Sequence, residues 1–151
     1  MPRVTRRRTI AAPRPEAWAL VSDPYSLARW WPRVMRVESV EGEGAGLQWT
    51  KVLGTSEGRG VRADFRCNGA VEGERFGWEQ MIEGTPFERH LRRYEIDIAL
   101  ADAPTGTEVT IAAAQTLRGL SRLGSPMMRR GQGSLLDEAL DGLERALGGD
   151  A

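Results

Sequence analysis

The chain is short of the residues that most often carry catalysis or metal binding. It contains one cysteine, Cys67, one histidine, His90, and one lysine, Lys51. A lone cysteine cannot form an internal disulfide, and a transition-metal site needs several nitrogen or sulfur ligands at a defined spacing. His90 is the only imidazole available as a base, and no nucleophile-elbow motif accompanies it. We therefore expect no metal site and no cofactor.

An excess of one charge and a long apolar run are also missing. The 21 basic residues balance the 21 acidic residues, which argues against a nucleic-acid partner or a charged membrane surface. No apolar stretch approaches the roughly 20 residues of a membrane span, and no secretory signal opens the chain. The glycine-rich segment 42–46 (GEGAG) lies between two predicted strands, so it predicts a hairpin turn and not a phosphate loop. A cytoplasmic location is the expectation.

The most informative segment runs from Ile10 to Pro32 and predicts two short helices. Pro13 and Pro15 suit the first turn of a helix, where a backbone donor is not needed. Ser22 or Asp23 can cap the second helix. The apolar side of this second helix consists of Leu27, Trp30 and Trp31. Helices this short cannot form a core alone and must pack on a larger element.

Alternating apolar and polar residues, separated by glycine-rich turns, predict seven strands. The predicted strands are Arg3–Ala11, Arg33–Glu41, Leu47–Leu53, Val61–Cys67, Val71–Ile82, Phe87–Leu100 and Glu108–Leu117. After Leu117 the apolar period changes to three or four residues, which predicts a long amphipathic helix. We expect its strong part to run from about Ser134 to Leu147. Glycines and Pro126 predict a break near Gly124–Pro126, because both residue types destabilise helices.

These elements predict a single α+β domain over residues 1–151 with a helix-grip architecture. A twisted antiparallel sheet of seven strands curls around the one long helix. A single helix cannot fill the concave side of so wide a sheet, so we expect an internal cavity. The residues expected to line it are Trp30, Trp31, Trp49, Phe65, Trp78, Gln80, Tyr94, Gln115, Met127 and Met128. The aromatic and methionine members suit ordinary core packing equally well, and the polar ones suit solvated strand ends.

Two segments carry a family resemblance. They are APRPEAWALVSDPYSLARWWP near the amino terminus and LRGLSRLGSPMMRRGQGSLLDEALDGLERAL near the carboxyl terminus. The first resembles the amino-terminal signature of the START-like, Bet v 1-like superfamily, and within it the small bacterial polyketide cyclase/dehydrase-like (SRPBCC) proteins. With the order of elements between them, the resemblance covers nearly the whole chain. It implies the same helix-grip fold and a hydrophobic small molecule as partner.

Three functions are compatible with these observations. The first is a non-catalytic carrier or sensor, monomeric or homodimeric, that binds a hydrophobic, partly oxygenated, lipid- or polyketide-like molecule. The second, which the resemblance implies, is a polyketide aromatase/cyclase or dehydratase, with Arg92, Tyr94, His90 and Gln80 as candidates for proton transfer. Arg92 and His90 are candidates because each lies an even number of residues before Tyr94, on one face of an unbroken strand. The third is an interaction protein that exposes Trp30 or Trp31.

Overall fold

The computed structural model describes residues 3–54, 60–119 and 125–148. In chain order its main elements are β1 (Arg3–Ile10), α1 (Arg14–Val21), α2 (Leu27–Trp30), β2 (Val34–Glu41), β3 (Gln48–Gly54), β4 (Gly60–Val71), β5 (Arg75–Gln80), β6 (Leu91–Ala103), β7 (Gly106–Leu117) and α3 (Ser125–Gly148). Short 3₁₀ turns cover Pro24–Ser26, Gly44–Gly46 and Pro86–Arg89. No helix in these parts of the chain is long and apolar enough to cross a membrane.

The strands form one antiparallel sheet in the order β1-β7-β6-β5-β4-β3-β2. Consecutive strands from β2 to β7 are neighbours, and β1 closes the other edge beside β7. Helices α1 and α2 connect the two edge strands, and α3 packs against β1, β7 and α2. The helix-grip fold predicted from the sequence is confirmed.

The helix pair after β1 forms for the reasons that the sequence indicated. Pro13 precedes α1 in extended backbone, and Pro15 lies in its first turn. The Asp23 carboxylate accepts a hydrogen bond of 3.1 Å from the backbone N–H of Tyr25 and so caps the next turn. Trp30 and Trp31 are both buried, with 3% and 6% of their surface exposed.

The burial of both tryptophans differs from the expectation that one of two adjacent side chains points away. Helix α2 ends at Trp30, and Trp31 has extended backbone, so the chain changes direction between them. Their rings then meet edge to face with centroids 5.4 Å apart. The second helix therefore does not expose the aromatic patch on which the interaction-protein hypothesis depended.

Several element boundaries differ from those predicted. Strand β4 continues to Val71, and a turn with Gly73 at φ +76° separates it from β5. Strand β6 begins at Leu91, because the preceding residues form a 3₁₀ turn. Helix α3 begins at Ser125, well before Ser134, so Pro126 lies in its first turn, where proline is tolerated. Gly124, in the predicted break, and residues 55–59, in a predicted turn, lie outside the described residues.

Small residues on α3 allow close approach of two other segments. A Cβ built at Gly142 would overlap the backbone carbonyl of Trp30, and one at Gly133 would overlap the Arg6 guanidinium. The apolar face of the helix between and beside these glycines is buried against the sheet and α2. It consists of Leu136, Ala139, Leu140 and Leu143. Most of the concave face is therefore packed, and the open space lies towards one end of the sheet.

Candidate functional site

A cleft of about 970 Å³ opens at one end of the curved sheet, where β4, β6 and α3 begin and β7 ends. It is lined by Gly60, Val61, Arg62, Pro86, Phe87, His90, Leu91, Gln115, Leu117, Met127 and Met128. The volume is that of a small-molecule site, and a mostly apolar wall with few polar groups is typical of such sites. Among the residues predicted from the sequence, Gln115, Met127, Met128 and His90 lie here. Their role in ligand binding stays a prediction.

Arg92 does not lie on the face of β6 that alternation predicted. Leu91 pairs with Leu117 and Arg93 pairs with Thr116, so β6 carries one extra residue at this point. This bulge shifts the alternation: Leu91 and not Arg92 lies on the face of Tyr94. Arg92 is exposed. The prediction that it shares the inner face of the strand is therefore wrong.

Tyr94 lies one step inward from the cleft. It pairs with Gln115 across β6 and β7, and its hydroxyl donates a hydrogen bond of 3.4 Å to Oε1 of Gln132 on α3. Burial raises the pKa of the Tyr94 phenol, because the phenolate would lose its hydration. At neutral pH this group is a hydrogen-bond donor that keeps its proton.

The aromatic residues expected to line the cavity lie deeper, in contact with one another. Trp49 stacks on Phe65 with ring centroids 6.3 Å apart and meets Trp78 edge to face at 6.0 Å. Trp78 meets Trp31 edge to face at 5.2 Å. All four are buried. These rings belong to the hydrophobic core of the domain.

Lys51, the only lysine, is buried among these rings, a placement not foreseen from the sequence. Its exposed fraction is 2%. Its Nζ lies 4.2 Å from the ring centroid of Phe65, 4.5 Å from that of Trp78 and 4.9 Å from that of Trp31. A signal for this existed, because Lys51 alternates in step with Trp49 on β3. The residue type gives the opposite indication, because lysine is rarely buried.

The environment of Lys51 disfavours its charge. Burial lowers the pKa of Lys51 to about 7, since the ammonium leaves water. The three ring faces attract a cation, which opposes this effect in part. Within residues 3–54, 60–119 and 125–148, the amine has no ion pair and no hydrogen-bond acceptor.

Other buried donors near this amine also lack acceptors. Among the described residues, the indole nitrogens of Trp30, Trp49 and Trp78 and the amide nitrogen of Gln80 have no hydrogen-bond partner. An indole N–H can only donate, so these groups could donate hydrogen bonds to an oxygen of a ligand. Gln80, expected to line the cavity, is half-buried near Phe65, with which it pairs across β4 and β5.

The described residues contain no group of three histidine, cysteine or acidic side chains that could hold a metal ion. The thiol of Cys67 donates to the carbonyl of Gly69 at 3.3 Å, and burial raises its pKa. The geometry thus shows an apolar cleft at one end of the sheet and, in the core, aromatic rings with buried donors and one amine.

Comparison with known proteins agrees with this geometry. The family model described as "Polyketide cyclase / dehydrase and lipid transport" matches residues 1–148. No curated protein sequence matches the chain.

Solved structures share the fold over nearly the whole chain. The protein TTHA0849 from Thermus thermophilus superposes with a TM-score of 0.77 at 23% identity, covering 97% of each chain. A START superfamily protein from Mycobacterium smegmatis gives 0.77 at 15% identity, again with 97% of each covered. The di-domain ARO/CYC BexL from the BE-7585A biosynthetic pathway gives 0.79 at 13% identity, covering 99% of this chain and 50% of that one. At these identities the similarity shows the fold alone.

Proposed function

Because the chain belongs to the polyketide cyclase/dehydrase and lipid transport family, we propose that it binds a hydrophobic, partly oxygenated small molecule in the cleft and acts as a carrier or sensor. The observation that carries the proposal is the apolar cleft of about 970 Å³ at one end of the curved sheet. Carriage needs an apolar volume and a few polar contacts, and Gln115 and His90 on the cleft wall supply such contacts.

Apolar burial supplies the affinity in this proposal. Transfer of apolar surface from water stabilises a complex by about 25 cal/mol per Å². Phe87, Leu91, Leu117 and Met128 provide apolar wall on several sides of the cleft. Methionine adapts to ligands of different shape, which suits a carrier.

The test is direct binding, with a matched pair of variants. Met128 and Met81 are similarly exposed, at 37% and 38%, and only Met128 lines the cleft. Titration with a ten-carbon alcohol, followed by tryptophan fluorescence or calorimetry, should show saturable binding. Met128→Glu should weaken it at least tenfold, and Met81→Glu should leave it within twofold. Equal loss in both variants, or no binding by the unaltered protein, contradicts the proposal.

Native mass spectrometry addresses the same question without a chosen ligand. A small hydrophobic molecule that leaves the purified protein unchanged on release supports carriage. The Met128→Glu variant should then carry less of it than Met81→Glu. A copurified molecule present in equal amount in both variants would mean that the cleft is not its site.

A second candidate is catalysis in the same cleft, as a polyketide aromatase/cyclase or dehydratase. The observation in its favour is Tyr94, whose protonated phenol is positioned by Gln132 next to the cleft wall. A positioned acid can transfer a proton to a bound poly-β-ketone. Turnover of a poly-ketone mimic, lost in Tyr94→Phe and unaffected in Arg92→Ala, would identify this activity. Unchanged turnover in Tyr94→Phe would exclude this role for the phenol.

A further inference from the structure

The buried amine of Lys51 has no role in a carrier that recognises apolar surface alone. The chain has 21 basic residues, and this single lysine lies inside the protein at 2% exposure. A buried lysine normally has a charge partner, because an ammonium loses its hydration on burial. A leucine or methionine would fill the same space without that cost. The residue therefore points to an interaction that the described part of the chain does not itself supply.

The unpaired polar atoms around it are of one kind. Among the described residues Lys51 makes no ion pair, and the indole nitrogens of Trp49 and Trp78 are buried donors without an acceptor. The complement of several donors and a positive charge is an oxygen group with negative charge. Ring faces repel an anion, so such a group must approach Nζ from the side that the rings of Phe65, Trp78 and Trp31 leave open.

The amine also lies next to the proposed binding cleft. Leu53 on β3 pairs with Val61, which lines the cleft. Lys51 lies two residues before Leu53 on the same face of β3 and pairs with Ala63. Lys51 and Ala63 therefore form the next pair inward from the cleft on this face, and Ala63 has a small side chain.

We propose that Lys51 is the anchoring cation for an acidic oxygen group, a carboxylate, on the amphipathic molecule whose apolar part occupies the cleft. This inference rests on the proposed function and adds the chemical class of the ligand to it. Lysine suits the task better than arginine, because the empty site can shed its proton and the bound anion restores it.

The ionisation of the site follows from its neighbours. On the inner face, the other described groups that titrate are Cys67 on β4 and Tyr94 on β6, and burial raises the pKa of both. Trp31, which follows helix α2, and Trp78 on β5 also surround Nζ, and neither of them titrates. His90 lies at the cleft wall. An anion beside the amine raises the pKa of Lys51 from about 7, so binding at pH 8 takes up a proton.

The experiment compares decanoate with decanol by calorimetry, at pH 6 and pH 8, in two buffers of different ionisation enthalpy. Lys51→Met should weaken decanoate binding at least tenfold and leave decanol within twofold. The unaltered protein should take up close to one proton with decanoate at pH 8 and far less at pH 6. In Lys51→Met, saturating decanoate should bind at pH 8 without this proton uptake, which assigns the uptake to Lys51.

Each outcome decides one question. If Lys51→Met weakens both ligands equally or neither, or if decanoate binds without proton uptake, Lys51 is not the anchor, while decanol binding still supports the proposed function. If neither ligand binds, the proposed function fails together with the inference. Should Lys51→Met not fold, the difference in proton uptake between decanoate and decanol in the unaltered protein at pH 8 still tests the proposal.

Discussion

Replacing Lys51 by methionine should change how the stability of the empty protein depends on pH. The pKa of the amine falls from 10.5 to about 7 on folding, because burial disfavours the ammonium. Between these values the unfolded chain binds more protons than the folded one. Stability therefore rises with pH across this window and is lowest below pH 7. A methionine has no proton to exchange and removes this dependence.

The magnitude follows from the size of the pKa shift. Each pKa unit corresponds to about 1.4 kcal/mol, so the charged amine costs the fold about 5 kcal/mol at pH 6. At pH 9 the folded amine is neutral. Folding then costs only the free energy of removing the proton that the unfolded chain carries on Lys51, about 2 kcal/mol. The free energy of unfolding of Lys51→Met minus that of the unaltered protein should thus shrink by about 3 kcal/mol between pH 6 and pH 9.

Urea unfolding followed by circular dichroism at the two pH values measures this difference. The buried thiol of Cys67, whose pKa is raised, adds an opposite slope above about pH 8.5, but it is present in both proteins and cancels. Lys51→Arg, which cannot shed its proton, should be less stable than the unaltered protein, most of all at pH 9. A gain from Lys51→Met that is the same at pH 6 and pH 9 would refute the reasoning.

Two further predictions concern helix packing and capping elsewhere in the fold. Gly142→Ala should destabilise the protein by about 1–3 kcal/mol, because its Cβ would overlap the Trp30 carbonyl. Gly131→Ala on the same helix meets nothing within 4 Å and should stabilise it by up to about 1 kcal/mol; thermal unfolding of both variants distinguishes them, and equal shifts would contradict the packing argument. Asp23→Ala should cost about 1 kcal/mol through loss of its hydrogen bond to the Tyr25 N–H, and Asp23→Asn should cost much less. Equal unfolding temperatures for the two Asp23 variants would mean that the cap contributes little.

The bulge in β6 shows where reading a strand by alternation fails. Alternation assigns faces correctly only while each residue has one partner across the ladder. Tyr94 and Gln115 satisfied this condition, and they face each other as the pattern implied. Arg92 did not satisfy it, because β6 carries an extra residue at this point. That extra residue is recognised only from the pairing with β7, a later strand in the chain. The face of Arg92 therefore could not be predicted from the strand alone.

Lys51 illustrates a different limit. Its position in the alternation of β3 already indicated an inward side chain, together with Trp49. The residue type opposed that reading, since lysine is rarely buried. The rings of Phe65, Trp78 and Trp31, which come from three other elements, surround the amine. Their convergence is a tertiary fact, and only it explains how an amine can lie there.

The sequence by itself determined the order of strands and helices and the helix-grip fold, because periodicity, caps and turns act over a few residues. The tertiary structure decided which polar side chains meet and where open space remains. Those outcomes depend on strand register, on the bulge at Leu91–Arg93 and on the close contact of Gly142 with Trp30. Each of these features joins residues far apart in the chain, so no local sequence pattern predicts it.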